Sequence, residues 1–382
     1  MPSQPPPPLP HFARTGHAAH CNRCLTGLPS SQIDVDAQTL AVGFYCLGTL
    51  DILGLLESKT NEVERKDWKE WIWEQVRTGS YGTGFKPGSY MTPESKSLSE
   101  TDQFREFDPP HLIMTYVALL SLAILRDDFS KLDRQGITKF VRSCQREDGS
   151  FSSLPNSGDS DLREVYCAFA ISSMLDDWSG VDVDRAIQYI RRCMSYEGGY
   201  GQEPSGEALG GTTYCALASL YLAPSSKHRD PGTSITPTER SRMIRWLVQN
   251  QTLEHGGFSG RTNKLADACY CFWCGASLHI LGASPLVNST TLTTFLSSCQ
   301  FKFGGFAKAP NERPDPYHTY LSLAAISLFP PPSENKDDPN YEEWKNVSRI
   351  DPLLNATLET EKWIRRHVPA PSHYQTFESH EH

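Results

Sequence analysis

No apolar run in the sequence approaches the roughly 18 residues that a membrane-spanning helix needs. A secretory signal is also missing: Met1–Pro10 is Pro-rich, with neither a basic start nor an apolar stretch. Positive charge is not in excess. The 36 Lys and Arg are outnumbered by 45 Asp and Glu, for a net charge of −9. That argues against a nucleic-acid binder, whose affinity comes largely from neutralising phosphates. Nothing indicates a disulfide framework. The 11 Cys are odd in number, and Cys167, Cys215, Cys271 and Cys274 sit inside apolar helical patterns. A reducing cytoplasm is the expected location. What is present excludes wholesale disorder: 38% hydrophobic residues, with 8 Trp, 15 Tyr and 17 Phe. A length of 382 residues allows a large core and, by length alone, two or three domains.

An internal repeat overrides that prior. A Gly turn closed by an aromatic recurs at Gly149-Ser150-Phe151, Gly198-Gly199-Tyr200, Gly256-Gly257-Phe258 and Gly304-Gly305-Phe306, with a weaker copy at Gly82-Thr83-Gly84-Phe85. The four strong copies step by 49, 58 and 48 residues, aromatic to aromatic. Some 12 to 15 residues after each comes a Tyr followed by small and apolar residues: Tyr166, Tyr214, Tyr270 and Tyr320, with further copies at Tyr116 and Tyr45. The post-turn segments are apolar almost all round and too long for strands, so they read as buried helices. The pre-turn segments are amphipathic, as in Ile187, Ile190 and Cys193-Met194 against Arg185, Arg191 and Arg192. The pattern predicts an all-α fold: an α-α barrel, or toroid, of about six helical hairpins, with an open solenoid as the competing arrangement. One barrel domain is expected over residues 11–367. Insertions are expected near 86–109, 224–238 and 330–340, a disordered N-terminus over 1–10 and a flexible tail over 368–382.

Ionisable residues at the mouth of an apolar inner helix call for an explanation. Arg261, Lys264, Asp267 and Cys269 crowd one such mouth, and Asp315-Pro316-Tyr317-His318 the next. Asn263 or Asp267 would also serve as a helix cap with a buried Cys behind it. Asp267 and Cys269 with His318 from the adjacent repeat make a three-ligand zinc set with one open position. An earlier mouth carries Asp159, Asp161 and Arg163, and His111 starts the inner helix before it. Arg163, Arg261, Lys264 and Lys308 gather at one end of an acidic protein, an anion site fit for a diphosphate. Aromatics such as Tyr166, Tyr214, Phe272 and Trp273 would line the interior, although most aromatics here serve as core packing.

These residues resemble the β subunits of protein prenyltransferases, most closely the geranylgeranyl type I branch, from about His17 to about Leu328. The motifs that carry the likeness are Met114-Thr115-Tyr116, Asp161 to Cys167, Ile187 to Arg192, Gly210 to Cys215, Asn263-Lys264 with Asp267 to Tyr270, and Gly304 to Lys308. The resemblance implies a barrel paired with a separate helical α subunit, and one Zn²⁺ held by Asp267, Cys269 and His318. Arg261, Lys264, Tyr270 and Lys308 would hold the isoprenoid diphosphate. His111, Asp159 and Arg163 would place the acceptor peptide. Ala41, Tyr166 and Trp273 would form the isoprenoid pocket. It further implies geranylgeranyl diphosphate as donor, and as acceptors proteins with a C-terminal CaaX motif ending mainly in Leu, such as Rho-family small GTPases. Lys308 stands where farnesyl enzymes carry an Asp that supports Mg²⁺, so Mg²⁺ is not required. Ala41 stands where farnesyl enzymes carry a Trp, which leaves room for a fourth isoprene unit. Two positions depart from the family. Leu209 replaces a His that precedes the Gly-Gly-x-Thr run, and Glu164 replaces an aromatic beside the acceptor's last residue.

Four other readings compete. A farnesyltransferase β subunit conflicts with Lys308 and Ala41, and a Rab-type geranylgeranyl enzyme is its near relation. A terpene cyclase shares the Gln145–Phe151 turn but needs an Asp-rich acid motif that has no counterpart here. A helical-hairpin scaffold, including a weakened enzyme permitted by Leu209, has no use for an open three-ligand metal site. His17, His20, Cys21 and Cys24 have the composition of a second metal cluster, but the family has a plain outer helix there.

Overall fold

A computed structural model of the chain describes residues 8–28, 35, 37–89, 109–224, 234–332 and 335–370. Most of the expected insertions at 86–109 and 224–238, and most of both termini, lie outside them. Fifteen α-helices occur among the described residues. Six are inner: α2 Thr39–Ile52, α5 Leu112–Ile124, α7 Leu162–Leu175, α9 Gly210–Leu222, α11 Ala268–Ile280 and α13 Pro316–Leu328. Six are outer: α1 Arg14–Thr26, α4 Glu62–Glu74, α6 Arg134–Cys144, α8 Val183–Arg192, α10 Pro237–Gln249 and α12 Ser289–Cys299. The short α3 Leu56–Lys59 and α14 Tyr341–Lys345 are connectors, and α15 Leu358–His367 follows the last repeat.

Each inner helix packs on the next, and α13 packs back on α2, so the ring is closed. The alternating pattern explains why. Nearly every residue of α5 and α7 is buried, because neighbours flank an inner helix on both sides and an outer helix covers its back. On α8, by contrast, only Ala186, Ile187, Tyr189 and Ile190 are buried, one stripe at helical spacing.

The Gly turns close each hairpin with a single bridge: Gln145 to Phe151, Met194 to Tyr200, Gln251 to Phe258 and Gln300 to Phe306. In the weak copy the turn opens into a ribbon, β1 Val76–Gly79 against β2 Gly82–Phe85. Two smaller ribbons pair β3 Phe306–Ala307 with β4 Pro314–Asp315, and β5 Ile350–Asp351 with β6 Ala356–Thr357.

The Pro-rich start needs a correction where it is described. Leu9 is buried, its N–H donates to Asp338 Oδ2 at 2.8 Å and its carbonyl accepts from Asn340 Nδ2 at 2.7 Å. Trp344 Nε1 donates to the carbonyl of Pro10 at 2.8 Å. Leu9 and Pro10 are thus tied to Asp338, Asn340 and α14.

The turn between β5 and β6 closes the barrel at the C-terminal ends of the inner helices. Asp51, at the end of α2, accepts from the hydroxyls of Thr357 and Thr360 at 2.6 and 2.7 Å. From inside the ring four tyrosine hydroxyls donate to consecutive carbonyls of this turn. Tyr214 reaches Pro352, Tyr166 Leu353, Tyr116 Leu354 and Tyr320 Asn355, at 2.5 to 3.0 Å.

Candidate functional site

At the opposite end, the first turns of α11 and α13 carry the candidate metal ligands. Asp267 caps α11, its Oδ1 accepting from the N–H of Cys269 at 2.9 Å. Asp315 caps α13 and accepts from the N–H of His318 at 2.8 Å. Because α11 and α13 are neighbours in the ring, one ligand atom each from Asp267, Cys269 and His318 falls within 4.8 Å of the others. The expected set is brought together, and the helix-cap reading of Asp267 holds with it: one carboxylate does both.

Asp315 adds what the sequence did not disclose. Its Oδ2 lies 2.6 Å from His318 Nδ1, while His318 Nε2 lies 3.4 Å from Asp267 Oδ1. Nδ1 is therefore held by a carboxylate and Nε2 is turned toward the ligand cluster. Metal-binding histidines use this arrangement, in which the outer partner fixes ring and tautomer. Burial alone would lower the pKa of His318, but Asp267 and Asp315 outweigh it and hold it at about 9. Burial and the Asp267 carboxylate push the Cys269 thiol up. Asp267 itself is held low: burial opposes this, but its bonds to His318 and Cys269 prevail. A sulfur, a nitrogen and an oxygen so placed suit Zn²⁺ better than a hard cation.

Beside the cluster the barrel holds a cavity of about 1380 Å³. Ala41, Tyr166, Trp273 and Tyr270 line it, as do His111, Asp159 and Arg163, so seven of the thirteen expected site residues meet in one space. Asn355 of the closing turn lines it from below. Tyr317, between the cluster and the cavity, accepts from Trp273 Nε1 at 3.1 Å. Tyr214 and Phe272 do not line it. They are fully buried core residues, packed on each other at 5.3 Å, and Tyr214 is spent on the carbonyl of Pro352.

Arg261, Lys264 and Lys308 are not in the cavity wall. Arg261 pairs with Glu207 at 3.2 Å. Lys264 and Lys308 are exposed, and the Lys308 carbonyl accepts from the N–H of Ala268 at 2.9 Å, which anchors its backbone beside the cluster. Arg163 is not free either: its Nε and Nη2 meet Asp161 Oδ2 at 2.8 and 2.5 Å. Burial pushes His111 down to about 4, although Asp159 opposes it, so its ring is neutral at pH 7. Leu209 lines the cavity.

The second metal cluster is not formed. His17 is fully buried, with Nε2 on Gln300 Oε1 at 3.0 Å and Nδ1 accepting from the N–H of Gly305 at 2.9 Å. None of the eleven cysteines is in a disulfide. No helix among the described residues is long and apolar enough to cross a membrane.

The sequence matches the family model of the prenyltransferase alpha-alpha toroid domain over residues 12–356. The chain belongs to this family. It is 38% identical to the geranylgeranyl transferase type-1 subunit beta of Dictyostelium discoideum, over 81% of this chain and 89% of that protein. It is 34% identical to the Arabidopsis thaliana protein of the same name, over 84% and 86%. The structure superposes on Candida albicans protein geranylgeranyltransferase-I complexed with GGPP with a TM-score of 0.80 at 26% identity, covering 94% of this chain and 100% of that one. A closed ring of six hairpins with the ligand cluster at one end is the toroid that the repeat predicts.

Proposed function

We propose that this chain is the catalytic β subunit of a zinc-dependent protein geranylgeranyltransferase type I. It transfers the 20-carbon group of geranylgeranyl diphosphate to the cysteine of a C-terminal CaaX motif, working with a separate α subunit in the cytoplasm. The observation that carries this reading is the Asp267–Cys269–His318 cluster beside a cavity of about 1380 Å³ that Ala41, Tyr166 and Trp273 help to line.

Zn²⁺ bound at that cluster would supply Lewis-acid chemistry, lowering the pKa of an acceptor thiol so that a thiolate forms at neutral pH. Asp267, Cys269 and His318 would hold the ion, and Asp315 keeps the His318 ring aligned. The thiolate sulfur bonds to C1 of the donor as the C1–O bond breaks and diphosphate leaves. Tyr270 donates a hydrogen bond to the leaving group, and the cations Arg261, Lys264 and Lys308 neutralise the charge building on it. Lys308 supplies a fixed charge, which makes Mg²⁺ unnecessary. The apolar wall around Ala41, Tyr166 and Trp273 takes the isoprenoid tail, and His111, Asp159 and Arg163 face the acceptor. No side chain has to act as nucleophile or general base.

The test uses the chain co-purified with an α subunit and loaded with one equivalent of zinc, without Mg²⁺. Geranylgeranyl and farnesyl diphosphate compete for CaaX peptides, and the adduct is identified by mass. A 20-carbon thioether is expected. A 15-carbon product keeps the family and overturns the assignment to type I; zinc-loaded protein that yields no adduct overturns the catalytic reading.

A further inference from the structure

Arg261 and Lys264 stand on a loop between the Gly256-Gly257-Phe258 turn and α11. The base of the loop is closed by a bridge from Ser259 to Ala266. The N–H of Gly210 also donates to the carbonyl of Gly260 there, at 2.8 Å. The tip is exposed from Thr262 to Leu265, and Asn263 turns the chain at φ +60°. A loop this short has no core of its own, so its tip must be steadied from a neighbouring repeat.

Two side-chain contacts do so among the described residues. Arg261 Nη1 pairs with Glu207 Oε2 at 3.2 Å. Thr262 Oγ1 donates to Glu197 Oε1 at 2.9 Å. Glu197 sits in the turn of the α8–α9 hairpin, just before Gly198-Gly199. Its second oxygen, Oε2, accepts from the N–H of Ala208 at 3.2 Å. One carboxyl group therefore ties together the hairpin turn, the stretch that leads into α9, and the cation loop. Ala208 follows Glu207, so Glu197 also steadies the backbone that carries the partner of Arg261.

On the function proposed above, Arg261 and Lys264 meet the donor's diphosphate, and this makes the two contacts unequal. A diphosphate competes with Glu207 for the same guanidinium. Thr262 is uncharged, and its hydroxyl is already given to Glu197. We infer that Glu197 is a positioning residue for the donor: through Thr262 it holds the cation loop in place before the diphosphate arrives. A loop ordered in advance loses less freedom on binding. The effect therefore falls on donor affinity and leaves the chemical step and the acceptor alone.

The test measures steady-state kinetics of the zinc-loaded heterodimer with geranylgeranyl diphosphate and a CaaX peptide. Glu197→Ala and Thr262→Val are each expected to raise the donor KM about three- to tenfold, with kcat and the peptide KM within about twofold of wild type. The double variant should be no worse than the poorer single one, because both changes break the same bond. Thr262→Ser, which keeps the hydroxyl, should return the donor KM to the wild-type value. A donor KM unmoved by Thr262→Val, effects that multiply in the double variant, or an equal rise in the peptide KM overturns the inference. Should Glu197→Ala fail to fold for want of its bond to Ala208, Thr262→Val and Thr262→Ser decide alone. A wild type that transfers the isoprenoid, with variants that match it, overturns this inference and leaves the proposed function standing; a wild type that transfers nothing overturns both.

Discussion

At the scale of single residues, the candidate metal site rests on a carboxylate outside the proposed ligand set. Asp315 holds His318 Nδ1 at 2.6 Å, so the ring keeps Nε2 toward the cluster. Asp315→Asn is expected to weaken zinc binding about 10–100-fold, read by competition with a chromogenic chelator. Cys269→Ala, which removes a ligand outright, should leave the purified heterodimer without stoichiometric zinc. Lys308 makes a separate prediction. Its backbone is anchored beside the cluster through Ala268 and its side chain is exposed, so a carboxylate placed there has room for a hydrated cation. The wild type should be indifferent to millimolar Mg²⁺, whereas Lys308→Asp should lose activity and regain part of it as Mg²⁺ is added. A wild type that Mg²⁺ stimulates would remove the fixed-charge role. Asp267, Cys269 and His318 were legible in the sequence because they are polar intrusions at equivalent places in adjacent repeats. The role of Asp315 was not: a residue at the right spacing to cap a helix does not reveal that its second oxygen turns to the histidine ring.

At the scale of elements, the Gly turns carry the architecture. Gly304 has φ +95°, and a Cβ there would stand 2.0 Å from the backbone of Gly16 on α1. This contact joins the last repeat to the first outer helix. Gly304→Ala combines left-handed strain with a backbone clash and should cost about 2–4 kcal/mol. The check is a lower denaturant midpoint at unchanged slope. An unshifted midpoint would mean that the seam between first and last repeats yields freely. Five of the six hairpins could be read because Gly, an aromatic and an apolar run recur in a fixed order, and the remaining one from the Tyr45 run alone; that order is local. Two elements were less readable for physical reasons. Gly82–Phe85 opens into a ribbon because β1 supplies it with a partner strand. Leu9 and Pro10 are held by Asp338, Asn340 and Trp344, more than 320 residues away, and no local composition signals a bond of that range.

At the scale of the whole molecule, the barrel is a tube with one end sealed, and the seal sets its useful depth. Four tyrosines from four of the six inner helices hold Pro352–Asn355 by its carbonyls, so the floor is tied to two thirds of the ring and cannot recede without breaking buried bonds. Tyr166 also meets the hydroxyls of Tyr116 and Tyr214 at 3.0 and 3.2 Å. Removing that hydroxyl leaves the Leu353 carbonyl unpaired, and Tyr166→Phe should cost about 1–3 kcal/mol. With the floor fixed, the length of tail the cavity accepts depends on its side walls. Ala41 is part of the wall at 8% exposure, on α2, the same helix whose end is bound to the floor through Asp51. A Trp at this position projects into the space and the chain behind it has no room to retreat. Ala41→Trp is therefore expected to lower the 20-carbon to 15-carbon ratio of kcat/KM at least tenfold, with zinc content unchanged as the control for folding. A ratio that stays where it was would place the end of the tail elsewhere in the cavity and leave the closing turn as the measure of length.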